Sequence, residues 1–343
     1  MESHEVAELF DQAVERLRLL IGSDGTDDGS DLLGHAASSG EVAVELAVGK
    51  LADPDRVVRA AACDLLGMVS DVHEGDVREE VATALVALAA QESDPAVHRS
   101  IARAGAATRD PRILPVLLTL AGSPDTGVRL QVAVALPMVL IDDHPPEDGV
   151  AALIALCTDS DPEVREWATF ALGWSTTADG DDVRRALWDR TRDVEPGVRE
   201  EGAWGLARRR DARALPLVRE LLAQDAVHRH TFQAAAYLAD PSLLPLLNGF
   251  DPTAEGVAEA LRECDPVRRA QRDESAWRLL TVVHQCRPDL RVAIFGERCD
   301  LGLYLDISDG SNISGHWFLD GLLTRAGNDA DRAAELAIED LRR

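Results

Sequence analysis

A short phrase of sequence recurs along this chain and limits what the chain can fold into. An acidic residue and a proline precede a valine and an arginine, as in Asp161-Pro162-Glu163-Val164-Arg165, and an alanine-rich stretch follows. The acid suits a helix N-cap and proline is tolerated in the first turn, so each copy predicts the start of a helix. The arginines that close the copies are Arg59, Arg99, Arg129, Arg165, Arg199 and Arg229. They lie 30 to 40 residues apart, which is the period of stacked two-helix units.

A second phrase lies between copies of the first and predicts the second helix of each unit. It reads Asp110-Pro111-Arg112-Ile113-Leu114-Pro115-Val116-Leu117-Leu118 and returns from Asp211 and from Asp240. Together the two phrases resemble the HEAT-repeat family, in particular its short bacterial form named after phycocyanobilin-lyase repeats. The resemblance covers about residues 32–250 and implies an all-α fold, a right-handed α-solenoid. It implies no single function, because this repeat serves scaffolds, inhibitors, lyases and nucleic-acid enzymes.

The two ends of the chain lack the repeat pattern. Residues 1–31 hold an amphipathic helix followed by an acidic, glycine-rich loop, which we expect to be mobile. Residues 32–251 are the predicted solenoid, and residues 252–343 form a divergent region that we expect to cap it. Within this last region, apolar residues alternate with others around Val292 and from Leu301 to Ile307. The alternation predicts two short strands, with a final helix after them.

The charge of the chain excludes some partners and favours others. There are 61 acidic against 35 basic residues, a net charge of −26. Such a surface repels phosphate backbones and anionic lipid headgroups, so we expect no nucleic acid and no membrane as partner. A protein partner with a basic segment fits better, while the oligomeric state and the identity of the partner stay open.

Compartment and source are predicted from composition. The five cysteines are widely spaced and odd in number, which favours reduced thiols in a cytoplasmic protein. The first residues have no basic and apolar signal-peptide pattern. Lysine occurs once while arginine is abundant, a bias typical of high-GC bacteria, although a salt-adapted archaeon would share it.

No catalytic motif occurs in the chain. It has no Walker loop, no dinucleotide fingerprint, no His-Glu-x-x-His and no Gly-x-Ser-x-Gly. We therefore predict a non-enzymatic interaction scaffold, without cofactor or metal, that holds its partner on a face lined by the second helices. One alternative is a bilin-lyase-like or other small-ligand enzyme on the same scaffold. Another is that the repeats are purely structural and residues 252–343 carry the function.

Aromatic residues cluster in two adjacent repeats and are the partner-binding candidates. They are Trp167, Phe170, Trp174 and Trp204, which lie off the recurring apolar stripe of their helices. Trp and Arg commonly anchor protein interfaces. Packing inside the repeat is the competing interpretation; we expect it for Trp167 and expect exposure for Trp204. The six repeat arginines should be structural and bond carbonyls or acids of the adjacent repeat.

Overall fold

The computed structural model describes residues 2–20, 29–141, 144–296, 302–310 and 314–341. The chain divides into two compact units, Met1–Gly202 and Ala203–Arg343. The predicted boundary between residues 251 and 252 lies inside the second unit, so the repeat pattern does not end where a compact unit ends. Among the described residues, no helix combines the length and the apolar character needed to cross a bilayer.

The first unit is an array of helix pairs. Before the pairs come α1 (Ser3–Leu20), α2 (Ser30–Ala37) and α3 (Glu41–Lys50). Helices that begin with the recurring phrase, here called the first helices, are α4 (Arg56–Val72), α6 (Pro95–Thr108), α8 (Thr126–Val139), α10 (Pro162–Phe170) and α12 (Pro196–Arg208). The second helices are α5 (Asp76–Ala89), α7 (Leu114–Leu120), α9 (Glu147–Leu156) and α11 (Asp181–Arg190). Helix α12 begins in this unit and continues past its boundary.

The first helices α4, α6, α8 and α10 pack side by side, each on the next. Their buried stripe is apolar and close to the one that the sequence predicts, with Ala62, Leu66, Val132, Leu136, Ala168 and Leu172 all fully buried. Small residues let the backbones approach: a Cβ added at Gly67 would lie 3.0 Å from Cα of Ala104. The α-solenoid class is confirmed.

Acidic side chains start these helices, as the phrase predicts. Asp94 and Asp161 accept hydrogen bonds from backbone N–H groups of the first turn, and the following proline occupies the first helical position. In the first repeat the cap is Asp55 and not Asp53, because two more residues separate the proline from the arginine. The predicted N-terminal helix corresponds to α1. Of the predicted mobile loop, residues 22–28 lie outside the described residues, and the last two, Ser30 and Asp31, belong to α2.

The second unit combines further helices with a small sheet. After the end of α12 come α13 (Leu215–Leu222), α14 (Arg229–Leu238), α15 (Leu244–Leu247), α16 (Val257–Cys264), α17 (Pro266–Cys286), β1 (Arg291–Gly296), β2 (Leu303–Ser308), β3 (Ser314–Phe318), α18 (Leu319–Arg325) and α19 (Ala330–Asp340). The sheet is antiparallel in the order β1-β2-β3. Ile294 and Trp317 flank Leu305 in register, and this face packs on α17, α18 and α19. The two predicted strands are confirmed; β3 is an additional strand.

Candidate partner-binding face on the first helices

Three repeat arginines connect successive repeats in the same way. Arg165 donates to the backbone carbonyl of Asp159 at 3.0 Å, six residues earlier. Its guanidinium also makes two bonds to the carboxylate of Asp193 in the next repeat, at 3.0 and 2.9 Å. Arg129 binds the Asp159 carboxylate at 2.7 and 3.0 Å. Asp159 therefore accepts from two arginines, from Arg129 through its carboxylate and from Arg165 through its carbonyl. We call this series the arginine ladder.

The ladder begins with Arg59, whose guanidinium binds the carboxylate of Glu92 at 2.7 and 3.2 Å. Burial opposes ionisation of Glu92. Hydrogen bonds from Arg59 and from the backbone of Asp94 and Ser93 outweigh it, and the pKa of Glu92 is lowered to about 2. Arg129, by its side-chain hydrogen bond, likewise lowers the pKa of Asp159. These carboxylates remain charged at any ordinary pH, so the ladder is ionic.

The sequence placed one ladder residue wrongly. In the second repeat His98, and not Arg99, lies against the carbonyl six residues earlier, with Nε2 3.2 Å from the oxygen of Glu92. Arg99 instead points to Asp125 of the next repeat at 3.2 Å. Counted from the cap acid Asp94, His98 occupies the position that Arg165 occupies after Asp161, and Arg99 lies one residue further on, so alignment on the arginine shifts the register by one. Arg199 does bind the Asp193 carbonyl, at 2.8 Å.

Two more arginines differ in how they relate to the ladder. Arg229, the last of the six predicted arginines, does not make the ladder contact among the described residues, whereas Arg269, which was not predicted, makes its carbonyl bond. Arg229 pairs with the exposed Glu255 at 3.0 Å, which is a surface contact. Arg269 donates to the carbonyl of Glu263, again six residues earlier, at 3.0 Å. Its sequence, Asp265-Pro266-Val267-Arg268-Arg269, is a further copy of the phrase beyond the six predicted ones.

The structure reverses our expectations for two of the aromatic candidates. Trp204 is 4% exposed, and its indole N–H donates to Oγ1 of Thr231 at 3.1 Å. The ring also stacks on His228 with 5.1 Å between ring centroids. Trp204 is therefore a packing residue and leaves the set of binding candidates. Trp167, for which we expected packing, is 42% exposed, so its ring is not enclosed within the repeat.

Where neighbouring first helices face each other, their repeat positions do not match. A residue on one helix lies beside a residue about one turn earlier in the repeat on the next helix. A Cβ added at Gly127 would lie 3.1 Å from the Arg99 side chain, and one at Gly197 would lie 2.8 Å from the Glu166 carboxylate. In the first pair, the residue after His98 faces the residue two positions before Arg129. In the second pair, the residue after Arg165 faces the residue two positions before Arg199. The same offset aligns Val134 of α8 with Trp167 of α10.

An apolar patch follows from this alignment. It consists of Val134 and Met138, which are exposed on α8, and Ile141, which is exposed just after α8 ends, with Trp167 and Phe170 of α10. The rings of Trp167 and Phe170 meet edge to face at a centroid distance of 5.8 Å. Immediately after α10 the chain forms a π-helical turn, Ala171–Ser175, which carries the half-buried Trp174. Such turns often occur at functional sites.

Four glutamates border the apolar patch and form what we call the acidic rim. They are Glu163, Glu166, Glu200 and Glu201, and none of them forms an ion pair with any described residue. By contrast, Arg103 and Asp64 on α6 and α4 pair with each other at 2.6 Å. The Oε2 atom of Glu201 is buried without a hydrogen-bond partner. Burial, with Glu166 and Glu200, raises the pKa of Glu201 to about 8.

Two cavities extend the same face toward the N-terminus. They have volumes of about 450 and 410 Å³ and share Leu17, Asp64 and Arg103 in their linings. The rest of their walls comes mainly from α4 and α6. A groove therefore lies on the first helices, whereas the sequence led us to expect the partner surface on the second helices.

Comparison with known proteins agrees with this architecture. Residues 43–137 and 82–173 match the family model described as HEAT repeats. Residues 43–173 therefore carry HEAT repeats. It is 31% identical over 124 residues to protein YibA of Escherichia coli strain K12, a match that covers 36% of this chain and 43% of YibA. The chain thus spans less than half the length of the curated relative.

Two solved structures share the HEAT-repeat fold over longer stretches. A crystal structure of YibA aligns with a TM-score of 0.55 at 24% identity, covering 75% of this chain and 95% of that one. The crystal structure of Kap121p aligns with a TM-score of 0.53 at 15% identity, covering 88% of this chain and 39% of that one. At these identities the likeness shows the fold alone.

Proposed function

We propose that this protein is a non-enzymatic interaction scaffold whose first-helix face binds a protein segment with apolar and basic side chains. The observation that carries the proposal is the exposed Trp167, which lies in the apolar patch beside four unpaired glutamates. The scaffold would act in the cytoplasm without cofactor or metal, and residues 252–343 would cap it.

The apolar patch supplies affinity in this proposal. Exposed apolar surface that is contiguous and bordered by polar residues is typical of interaction sites. Tryptophan is frequent among the residues whose truncation costs an interface more than 2 kcal/mol. Here Trp167 is supported by Phe170 behind it, so the indole can meet a partner without first losing much side-chain freedom.

The acidic rim supplies selectivity. Unpaired carboxylates at the border of an interface attract a basic segment and repel an acidic one. The net charge of −26 acts in the same direction over longer distances. A partner segment with arginine or lysine beside leucine-like residues matches both features of the face.

The test begins with a photo-crosslinking amino acid at position 130, which is next to the apolar patch, in the native host. The cross-linked partner is then purified and its Kd measured against variants. Trp167→Ala and Met138→Glu should each raise Kd at least tenfold, with little change in melting temperature. Trp188→Ala is the matched control, because Trp188 lies on the second helix α11, where its ring contacts Arg192. An unchanged Kd in both patch variants would reject this surface.

The enzyme alternative has its own test. A bilin-lyase-like protein should hold a tetrapyrrole, which absorbs visible light. Incubation with phycocyanobilin, followed by gel filtration, should give protein free of visible absorbance if the scaffold proposal is right. Co-elution of the pigment in stoichiometric amount would favour the lyase alternative.

A further inference from the structure

The acidic rim contains one carboxyl group with an unusual environment. Glu201 is the second residue after Arg199 on α12, and its neighbour Gly202 is pressed against α11, where an added Cβ would lie 2.8 Å from the carbonyl oxygen of Leu187. This contact leaves α12 little room to shift. The Oε2 atom of Glu201 is buried and has no hydrogen-bond partner, so the group is held desolvated without compensation.

The charges on neighbouring elements do not neutralise Glu201. From α10, Glu166 adds a like charge, as does Glu200 on the same helix. On the same two neighbouring helices, Arg165 of α10 and Arg190 of α11 both bind the carboxylate of Asp193, at 2.9 and 3.0 Å.

Building on the proposed function, we propose that a guanidinium or ammonium group of the partner's basic segment pairs with Glu201, and that this pairing expels a proton from its carboxyl group. The patch beside it then holds the apolar part of the same segment. While the site is empty, burial favours the protonated, uncharged carboxyl group of Glu201. Once a cation lies beside it, the ionised carboxylate is favoured. Binding and deprotonation are thus linked.

The direction of the pH dependence follows from this linkage. Since the pKa of Glu201 is raised to about 8, most molecules carry the proton at pH 7 in the absence of partner. Binding at pH 7 should then release nearly one proton per site. The Kd should fall by up to about tenfold for each unit as pH rises toward 8, and should level off above that pH.

The experiment uses calorimetry with the peptide acetyl-Leu-Arg repeated four times as probe, at pH 7 in buffers of different ionisation enthalpy. For the wild-type chain, the apparent binding enthalpy should change with the ionisation enthalpy of the buffer, with a slope that corresponds to the release of close to one proton. Glu201→Gln should still bind but release no proton. Glu147→Gln, which removes one carboxylate at an exposed site on the second helix α9, outside the acidic rim, should bind and release the proton as the wild type does.

The outcomes separate the two proposals. Binding that is lost in Trp167→Ala but releases no proton in the wild type would overturn the role of Glu201 and leave the proposed function standing. Absence of binding, or binding that Trp167→Ala leaves unchanged, would count against the proposed function itself. A carboxyl ¹³C titration of the free protein adds a check without ligand: a Glu201 midpoint in the ordinary range near pH 4 would also overturn the inference.

Discussion

The imidazole Nε2 of His98 lies 3.2 Å from the backbone carbonyl of Glu92, in the place that an arginine occupies in other rungs of the ladder. The residue of the next repeat that would receive such an arginine is Ser123, where the following two repeats have Asp159 and Asp193. Arginine and acid are thus missing together. The half-exposed pair of Arg99 and Asp125 crosses this junction instead.

Restoring both partners should stabilise the protein. We expect the double variant His98→Arg with Ser123→Asp to show a favourable coupling of about 1–2 kcal/mol in a double-mutant cycle, because the new pair would be partly buried like its neighbours. His98→Arg alone should be neutral or destabilising, since its guanidinium would lack a carboxylate. Urea unfolding of the four proteins measures the coupling. Strict additivity would mean that the ladder geometry does not extend through this junction.

Removing an existing rung should have the opposite effect. Arg165→Ala leaves the buried carboxylate of Asp193 with Arg190 and one backbone N–H, so the free energy of unfolding should fall by about 2 kcal/mol. The control is Arg185→Ala, whose pair with Asp182 is exposed and should contribute less than about 0.5 kcal/mol. Equal effects in the two variants would show that the rung has no special role.

The ladder should make stability depend on pH in the acid range. The pKa of Glu92 is lowered to about 2 from its ordinary 4.5. Its contribution is therefore complete above pH 4.5 and is lost as pH falls toward 2. We expect the wild type to lose about 2–3 kcal/mol more than Glu92→Gln over this interval. Glu80→Gln, at an exposed site on α5, should keep the wild-type slope; parallel curves for all three proteins would refute the assignment.

Truncation should lower the stability of the protein much more at Trp204 than at Trp167. Trp204→Ala removes a buried ring and leaves Thr231 without its indole donor, so unfolding should become easier by about 3–5 kcal/mol. Trp167→Ala should change stability by less than about 1 kcal/mol, because the ring is already partly in water. Melting curves of the two variants decide this. A large loss in the Trp167 variant would mean that its ring packs within the repeat after all.

The sequence predicted the helix pairs, the N-cap acids and most of the ladder, because these depend on residues close together in the chain. It missed the role of His98, since histidine replaces arginine at the ladder position of this copy and the alignment followed Arg99, one residue later. It also missed the burial of Trp204, which depends on Thr231 and His228 in the following repeat. Strand β3 has few branched apolar residues and is positioned by its pairing with β2. In the sequence, the acidic rim could be recognised only as a group of negative charges. Its lack of ion-pair partners depends on the tertiary structure and could not be predicted.

The interrupted ladder also bears on how the first unit would respond to force. Repeats joined by a buried Arg–carboxylate rung should separate only when that rung breaks, so they act as stiff links. The junction between the repeats of His98 and Ser123 has a half-exposed pair in its place and should yield first when the chain is stretched. In an optical trap, the first extension step of the wild type would then start between α6 and α8, and the ends of the apolar patch would move apart only in a later step.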